Sequence, residues 1–187
     1  NRLWEHYYEK PQTKEKKRQP TKQDLNLYSL CKPERLLELT RNFTVFDNNT
    51  RKIARYQQYF GVKRMMRRVR QTDEEGIRKG GVIWHTQGSG KSITMVFMSK
   101  NLAVADDIPS QRIILVTDRT DLDDQLKKTF KSCGKEIIQA KTGKHLAELI
   151  KNPGVENIST IINKFSAASR QKNLVNESKN IFVLIDE

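Results

Sequence analysis

Lys91 and Ser92 close the segment His85-Thr86-Gln87-Gly88-Ser89-Gly90-Lys91-Ser92, whose residue types and spacing suit the grip of a triphosphate. Glycine at 88 and 90 lets the backbone curl so that successive N–H groups converge on phosphate oxygens. A helix opening at Lys91 adds the positive end of its dipole to the same point. In that frame Lys91 reaches the β and γ phosphates of ATP and Ser92 ligates Mg²⁺, while Thr86, Gln87, Gly88, Ser89 and Gly90 form the cradle. The strict phosphate-loop pattern asks for glycine six positions before the lysine, and His85 stands there instead. What remains, Gly-x-Gly-Lys-Ser, arises by chance in roughly one per cent of chains this long.

A second candidate is the apolar run Ile181-Phe182-Val183-Leu184-Ile185 ending in Asp186-Glu187. A buried strand beside the one before the loop delivers Asp186 to the Mg²⁺ sphere, and Glu187 orients and deprotonates an attacking water, the Walker B arrangement. A strand ending in two acids is weak by itself, and its place downstream of a phosphate loop is what gives it weight. Upstream, Arg55-Tyr56-Gln57-Gln58-Tyr59 offers amide side chains that both donate to and accept from an adenine edge. Read alone, such a segment is most often an ordinary helix surface.

These groups need a scaffold, and the apolar pattern supplies one. Residues 1–23 are polar and charged, as in a linker or arm. Pro33 to Asn42 reads as one helix. Asp47-Asn48-Asn49-Thr50 is a polar turn placed to cap a helix over 51–70, and 73–80 is a turn-rich break. From Val82-Ile83-Trp84 onward, short apolar runs (112–117, 136–139, 158–162, 181–185) alternate with helical patterns (91–104, 122–130, 144–150). Strands that are apolar on both faces and joined by crossover helices predict a parallel α/β sheet covered on both sides. The expected division is a connector over 1–50 and a nucleotide-binding domain over 51–187.

The formal charge of +13 is unevenly spread. Residues 1–50 hold ten basic against seven acidic side chains, residues 51–80 ten against three, and residues 81–187 fifteen against twelve. Such a cluster attracts phosphate backbones through counterion release, although a solvated helix face has the same spelling. Cys31 and Cys133 are far apart and His6, His85 and His145 are scattered, so neither a disulfide framework nor zinc-ligand spacing is present. No apolar run approaches the eighteen residues of a membrane span, which predicts a cytoplasmic protein without a membrane partner. A start at Asn1 and a stop within an apolar run read as a piece of a longer chain.

Four segments carry a resemblance. They are Glu34-Arg35-Leu36-Leu37-Glu38-Leu39-Thr40-Arg41-Asn42-Phe43, Ile53-Ala54-Arg55-Tyr56-Gln57-Gln58-Tyr59, Trp84 to Ser92, and Val116-Thr117-Asp118-Arg119-Thr120-Asp121-Leu122-Asp123-Asp124-Gln125-Leu126. In this order, with Asp186-Glu187 after them, they resemble the motor module of superfamily 2 helicases, and more closely the motor-and-nuclease R subunit of bacterial and archaeal type I restriction-modification enzymes. His85 is part of that resemblance.

The resemblance implies a RecA-like P-loop NTPase fold, preceded by a helical connector. It implies that Gln58 reads adenine with Arg55 nearby, and that Thr117, Arg119, Thr120 and, after the next strand, Lys164 contact the DNA backbone. The implied activity is ATP-driven translocation along double-stranded DNA with endonucleolytic cleavage in the intact subunit, in company with modification (methyltransferase) and specificity subunits. A nuclease site is not spelled in this chain. An arginine from a second motor domain completes such a site and is worth about 10³ or more in rate, so this chain alone is expected to hydrolyse ATP poorly. Two alternatives stand beside this reading: another superfamily 2 ATPase such as a type III restriction motor, and a non-hydrolysing DNA-binding scaffold built on residues 51–80.

Overall fold

The computed structural model describes residues 21–86, 88–152, 154–171, 176 and 178–186. Most of the expected arm, together with Gln87 and Glu187, lies outside the described residues. The chain divides into two compact units, one ending at Arg41 and the other Asn42–Glu187.

The first unit holds helices α1 (Lys22–Cys31) and α2, which runs Pro33–Asn42. The second agrees with expectation, while α1 begins inside the segment read as a polar arm. Its signal is a capping box. The Thr21 hydroxyl accepts from the Asp24 N–H, and the Asp24 carboxylate accepts from the Thr21 N–H.

In the second unit, residues 44–53 form a hairpin rather than a turn leading into a helix: β1 (Thr44–Asp47) pairs antiparallel with β2 (Thr50–Ile53). Asn48 and Asn49 both have positive φ, 47° and 65°, as a two-residue hairpin of primed type requires, and asparagine tolerates that region. Helix α3 therefore starts later than expected, at Tyr56, and ends at Val69. It buries Tyr59, Phe60, Val62 and Met66. Phe43 is fully buried between Tyr59 and Phe97, with ring centroids 4.7 and 6.0 Å away.

The remaining elements are α4 (Lys91–Ala103), β3 (Arg112–Thr117), α5 (Thr120–Ser132), β4 (Ile138–Gln139), α6 (Gly143–Lys151), β5 (Asn157–Ile161), α7 (Ile162–Ser169) and β6 (Ile181–Asp186). Four strands make a parallel sheet in the order β4-β5-β3-β6. Alternation along β3 sends Ile114 and Val116 to one face, where they meet Ile158, Leu146, Leu149, Ile150 and Ala168. The buried residues of α4 and α5, among them Phe97, Met98, Leu102, Leu126 and Phe130, serve the rest of the core. A Ser99 hydroxyl bond to Asn157 Oδ1 fixes α4 over β5. This is the α/β fold expected, with the connector helices preceding it.

Two details depart from expectation. Val82-Ile83-Trp84 is not a strand and does not lie beside β6; Val82 and Trp84 are 95% and 93% exposed. A strand needs a ladder partner, and β6 pairs only with β3 among the described residues. The sheet is also not covered throughout, since Ile185 on β6 is 65% exposed. α7 follows directly on β5 and was not foreseen as an element.

Two measurements follow. Phe97→Ala should cost about 3–5 kcal/mol in urea unfolding, because a fully buried ring leaves a cavity among Phe43 and its neighbours. The second concerns Asp47, which accepts from Lys52 of its own hairpin and from the Ser132 hydroxyl of α5. Those two bonds hold its carboxyl below the ordinary 3.8. A lowered folded value contributes stability above the ordinary pKa that is lost as pH falls through the folded one. Between pH 7 and the acid side of 3.8, Asp47→Asn should therefore lose less stability than the unsubstituted chain. Equal losses would show that Asp47 is not held.

Candidate functional site

The glycine loop is built by conformation. Gly88 and Gly90 have φ of +72° and +87°, the left-handed region that a side chain disfavours, and they bracket Ser89. The Ser89 N–H donates to the Thr86 carbonyl at 3.1 Å, closing a turn. Gly90 is the N-cap of α4, which has no side-chain cap and no acidic residue in its first turn. The N–H groups at that helix start thus face outward with the positive dipole end, a setting that attracts anions.

Opposite the loop, β6 ends on Asp186. Lys91 Nζ lies 3.3 Å from Asp186 Oδ1, with side chains 38% and 13% exposed. Ser92 sits half-buried in the same first turn. The structure therefore brings Lys91, Ser92, the loop glycines and Asp186 to one place. Glu187 and Gln87, named with them, lie outside the described residues.

Gln58 also belongs to this place. It is 4% exposed, and its Oε1 accepts from the Arg55 N–H at 2.9 Å, capping α3. Its Nε2 faces the carbonyls of Gly90 and Ser89 at 3.2 and 3.4 Å, so the amide braces the loop from behind. A Cβ on Gly90 would lie 2.7 Å from that Nε2. Arg55 itself is exposed, at the N-cap of α3.

The segments expected to touch a nucleic acid lie at the carboxyl ends of the strands. Thr117 is paired in register with Asp186 on one side and Ile161 on the other, so the three strand ends form one edge. Beyond it, Thr117 is 1% exposed and its hydroxyl donates to the Arg119 carbonyl at 3.2 Å. Arg119 is exposed and forks onto Asp121 at 3.2 and 3.1 Å, and Thr120 is exposed at the start of α5. Lys164 Nζ donates to the Ala140 carbonyl at 2.9 Å. Of these four, Arg119 and Thr120 face solvent.

Sequence reading took His85 as a departure from the strict pattern and as part of the resemblance, and gave it no contact. Its Nδ1 lies 2.9 Å from Ser89 Oγ, a clip across the loop. A hydroxyl four residues after a ring nitrogen in a tight loop was the available signal. Arg78 was counted as surface charge, yet it donates to Val69 O, Lys179 O and Asn180 Oδ1.

A parallel sheet with a left-handed glycine loop opening one helix and a carboxylate at an adjacent strand end defines an α/β nucleotide-binding domain of RecA-like type. A family model described as SWI2/SNF2 ATPase matches residues 57–187, and the chain belongs to that family. The chain is 38% identical over 175 residues to the type I restriction enzyme HindI endonuclease subunit of Haemophilus influenzae, a match covering 86% of this chain and 16% of that protein. It is 33% identical to the putative MjaIXP endonuclease subunit of Methanocaldococcus jannaschii, over 89% of this chain and 16% of the relative. A Staphylococcus saprophyticus endonuclease subunit, SsaAORF53P, is 36% identical over 47% of the chain. The chain is thus homologous to the ATPase region of type I restriction endonuclease subunits and spans about a sixth of the first two relatives' length.

The brace behind the loop can be tested with glycines. Gly88→Ala meets open space and should cost only the left-handed backbone, about 1 kcal/mol in urea unfolding. Gly90→Ala adds a collision with the Gln58 amide and should cost about 2–3 kcal/mol. Equal losses at the two positions would mean that Gln58 does not stand against the loop.

Proposed function

We propose that this chain is the ATP-binding portion of a motor that moves along double-stranded DNA within a type I restriction endonuclease subunit, whose intact form also cuts DNA. The observation that carries the reading is the 3.3 Å approach of Lys91 Nζ to Asp186 Oδ1, at the start of the helix that the glycine loop opens. A cation for phosphate oxygens and an anion for a metal stand side by side, the two kinds of group that a metal–triphosphate pair engages.

In this reading Lys91 binds the β and γ phosphates, and the backbone from Thr86 to Gly90 wraps them. Ser92 and Asp186 hold Mg²⁺. One hydroxyl and one carboxylate are hard oxygen donors, and Mg²⁺ keeps most of its shell for water and phosphate, so no larger acidic cluster is required. Bound there, Mg²⁺ supplies charge neutralisation between the phosphates. Glu187 orients and deprotonates water. Gln58 accepts one hydrogen bond at Oε1 from Arg55 and keeps a second lone pair for an adenine amine, with Arg55 beside it.

DNA contact is assigned to the strand-end edge, where Arg119 and Thr120 are exposed. Thr117 and Lys164 would act there by shaping the backbone, because their polar atoms are bonded within the chain. Companion modification and specificity subunits in a bacterial or archaeal cytoplasm complete the proposal. Among the described residues no helix is long and apolar enough to cross a membrane.

Calorimetry with a non-hydrolysable ATP analogue and Mg²⁺ tests the site. Lys91→Ala removes a charge-assisted contact of about 1.5–3 kcal/mol and should weaken binding roughly tenfold to a hundredfold. Asp186→Asn should abolish the gain that Mg²⁺ gives while leaving metal-free binding in place. Unchanged affinity in Lys91→Ala would remove the phosphate-loop assignment.

A further inference from the structure

Residues 51–80 carry ten basic side chains against three acidic ones, and the fold sorts them. Lys52 pairs with Asp47, Arg70 forks onto Asp107 at 2.7 and 3.1 Å, and Arg78 is bonded to the chain around Asn180. These three are structural. Four others, Lys63, Arg64, Arg67 and Arg68, are all exposed within six consecutive residues of α3, a helix without a single Asp or Glu.

The helix cannot turn this face inward. Val62 and Met66, on its other side, are buried, which fixes its rotation. The cations are also partly ordered: Lys63 Nζ lies 6.0 Å over the Tyr59 ring, and Arg68 Nε donates to the Gly80 carbonyl at 3.0 Å. Pairs 63/67 and 64/68 place like charges one helical turn apart, which opposes the helix. The helix dipole offsets this only for Arg67 and Arg68 in the last turn. An arrangement that works against its own helix, with no acid nearby on it, is complementary to an external anion.

Density and chemistry name the anion. Five steps of 1.5 Å place the four cations along about 7.5 Å, a dense row of positive charge that suits a polyanion with closely spaced phosphates and a condensed counterion atmosphere, such as a DNA duplex. Three of the four are arginines, whose planar fork matches phosphate oxygens. We propose that this face of α3 is a contact surface for the phosphate backbone of double-stranded DNA, in addition to the strand-end edge at Arg119 and Thr120. It rests on the double-stranded-DNA reading above and adds the place on the chain where much of the electrostatic hold resides.

The test is fluorescence anisotropy of the whole chain with a mixed-sequence 30-base-pair duplex across a KCl series, alongside calorimetry with the ATP analogue. Arg64→Gln/Arg67→Gln should flatten the log–log salt slope by about 2 and weaken binding about tenfold near 0.1 M salt. Lys128→Gln/Lys131→Gln removes two exposed cations of α5 and should change the slope by less than half as much. Arg64→Lys/Arg67→Lys keeps the charge and should keep the slope, which separates charge loss from a folding defect. Analogue binding should be unchanged in all three. Equal effects of the α3 and α5 pairs, or an unaltered slope in Arg64→Gln/Arg67→Gln, overturn the inference and leave the motor reading standing. An unsubstituted chain that ignores the duplex overturns both.

Discussion

Opposite charges on Lys91 and Asp186 meet across the gap between the start of a helix and the end of a strand, and the domain is arranged around that meeting. One side chain is brought there by sheet register and the other by the turn just before it. Asp186 arrives because β6 runs parallel to β3 in a register that puts it beside Thr117, at the carboxyl edge where α/β sheets place ligands. Lys91 arrives because two left-handed glycines turn the chain sharply enough to start α4 facing that edge. A single residue slip in the β3–β6 register would send Asp186 to the other face of the sheet and separate the pair.

Around this centre lies a bracing layer of uncharged contacts. The Gln58 amide links the cap of α3 to the carbonyls of Ser89 and Gly90, and the His85 ring clips the Ser89 hydroxyl from the other end. The first acts on the loop backbone and the second on a loop side chain. The loop is held at its two ends, and its conformation does not depend on glycine strain alone.

Much of this was legible in the sequence, for physical reasons that differ by element. The glycines, Lys91 and Asp186 could be read because their chemistry is carried by residue type and by position relative to long apolar periods, which survive into the fold as α4 and β6. The β1–β2 hairpin was missed because Asn48-Asn49 was read as a cap, and both readings draw on the same tolerance of asparagine for tight backbone. The strand expected at Val82-Ile83-Trp84 has the right composition, but strand formation is a property of pairs, and composition does not supply the partner. Gln58 was singled out as an amide that could face a base; that it braces the loop requires a contact thirty-two residues away, which no local pattern reveals.

The charge distribution shows a similar division between what composition and folding can say. Composition gave ten cations in thirty residues as one feature. Folding gives some of them separate tasks: Lys52, Arg70 and Arg78 tie hairpin, turn and strand ends together, while four others lie exposed along α3. The separation also bears on the central pair. In the proposed site, a cation that exchanged a protein carboxylate for a phosphate, and a carboxylate that exchanged an amine for a metal, would each keep a partner throughout, so neither would be stranded in a partly buried site. In the proposed reading, attraction from α3 and exchange at Lys91 would act on different anions, and the exposed cations of α3 would be the more strongly screened by salt.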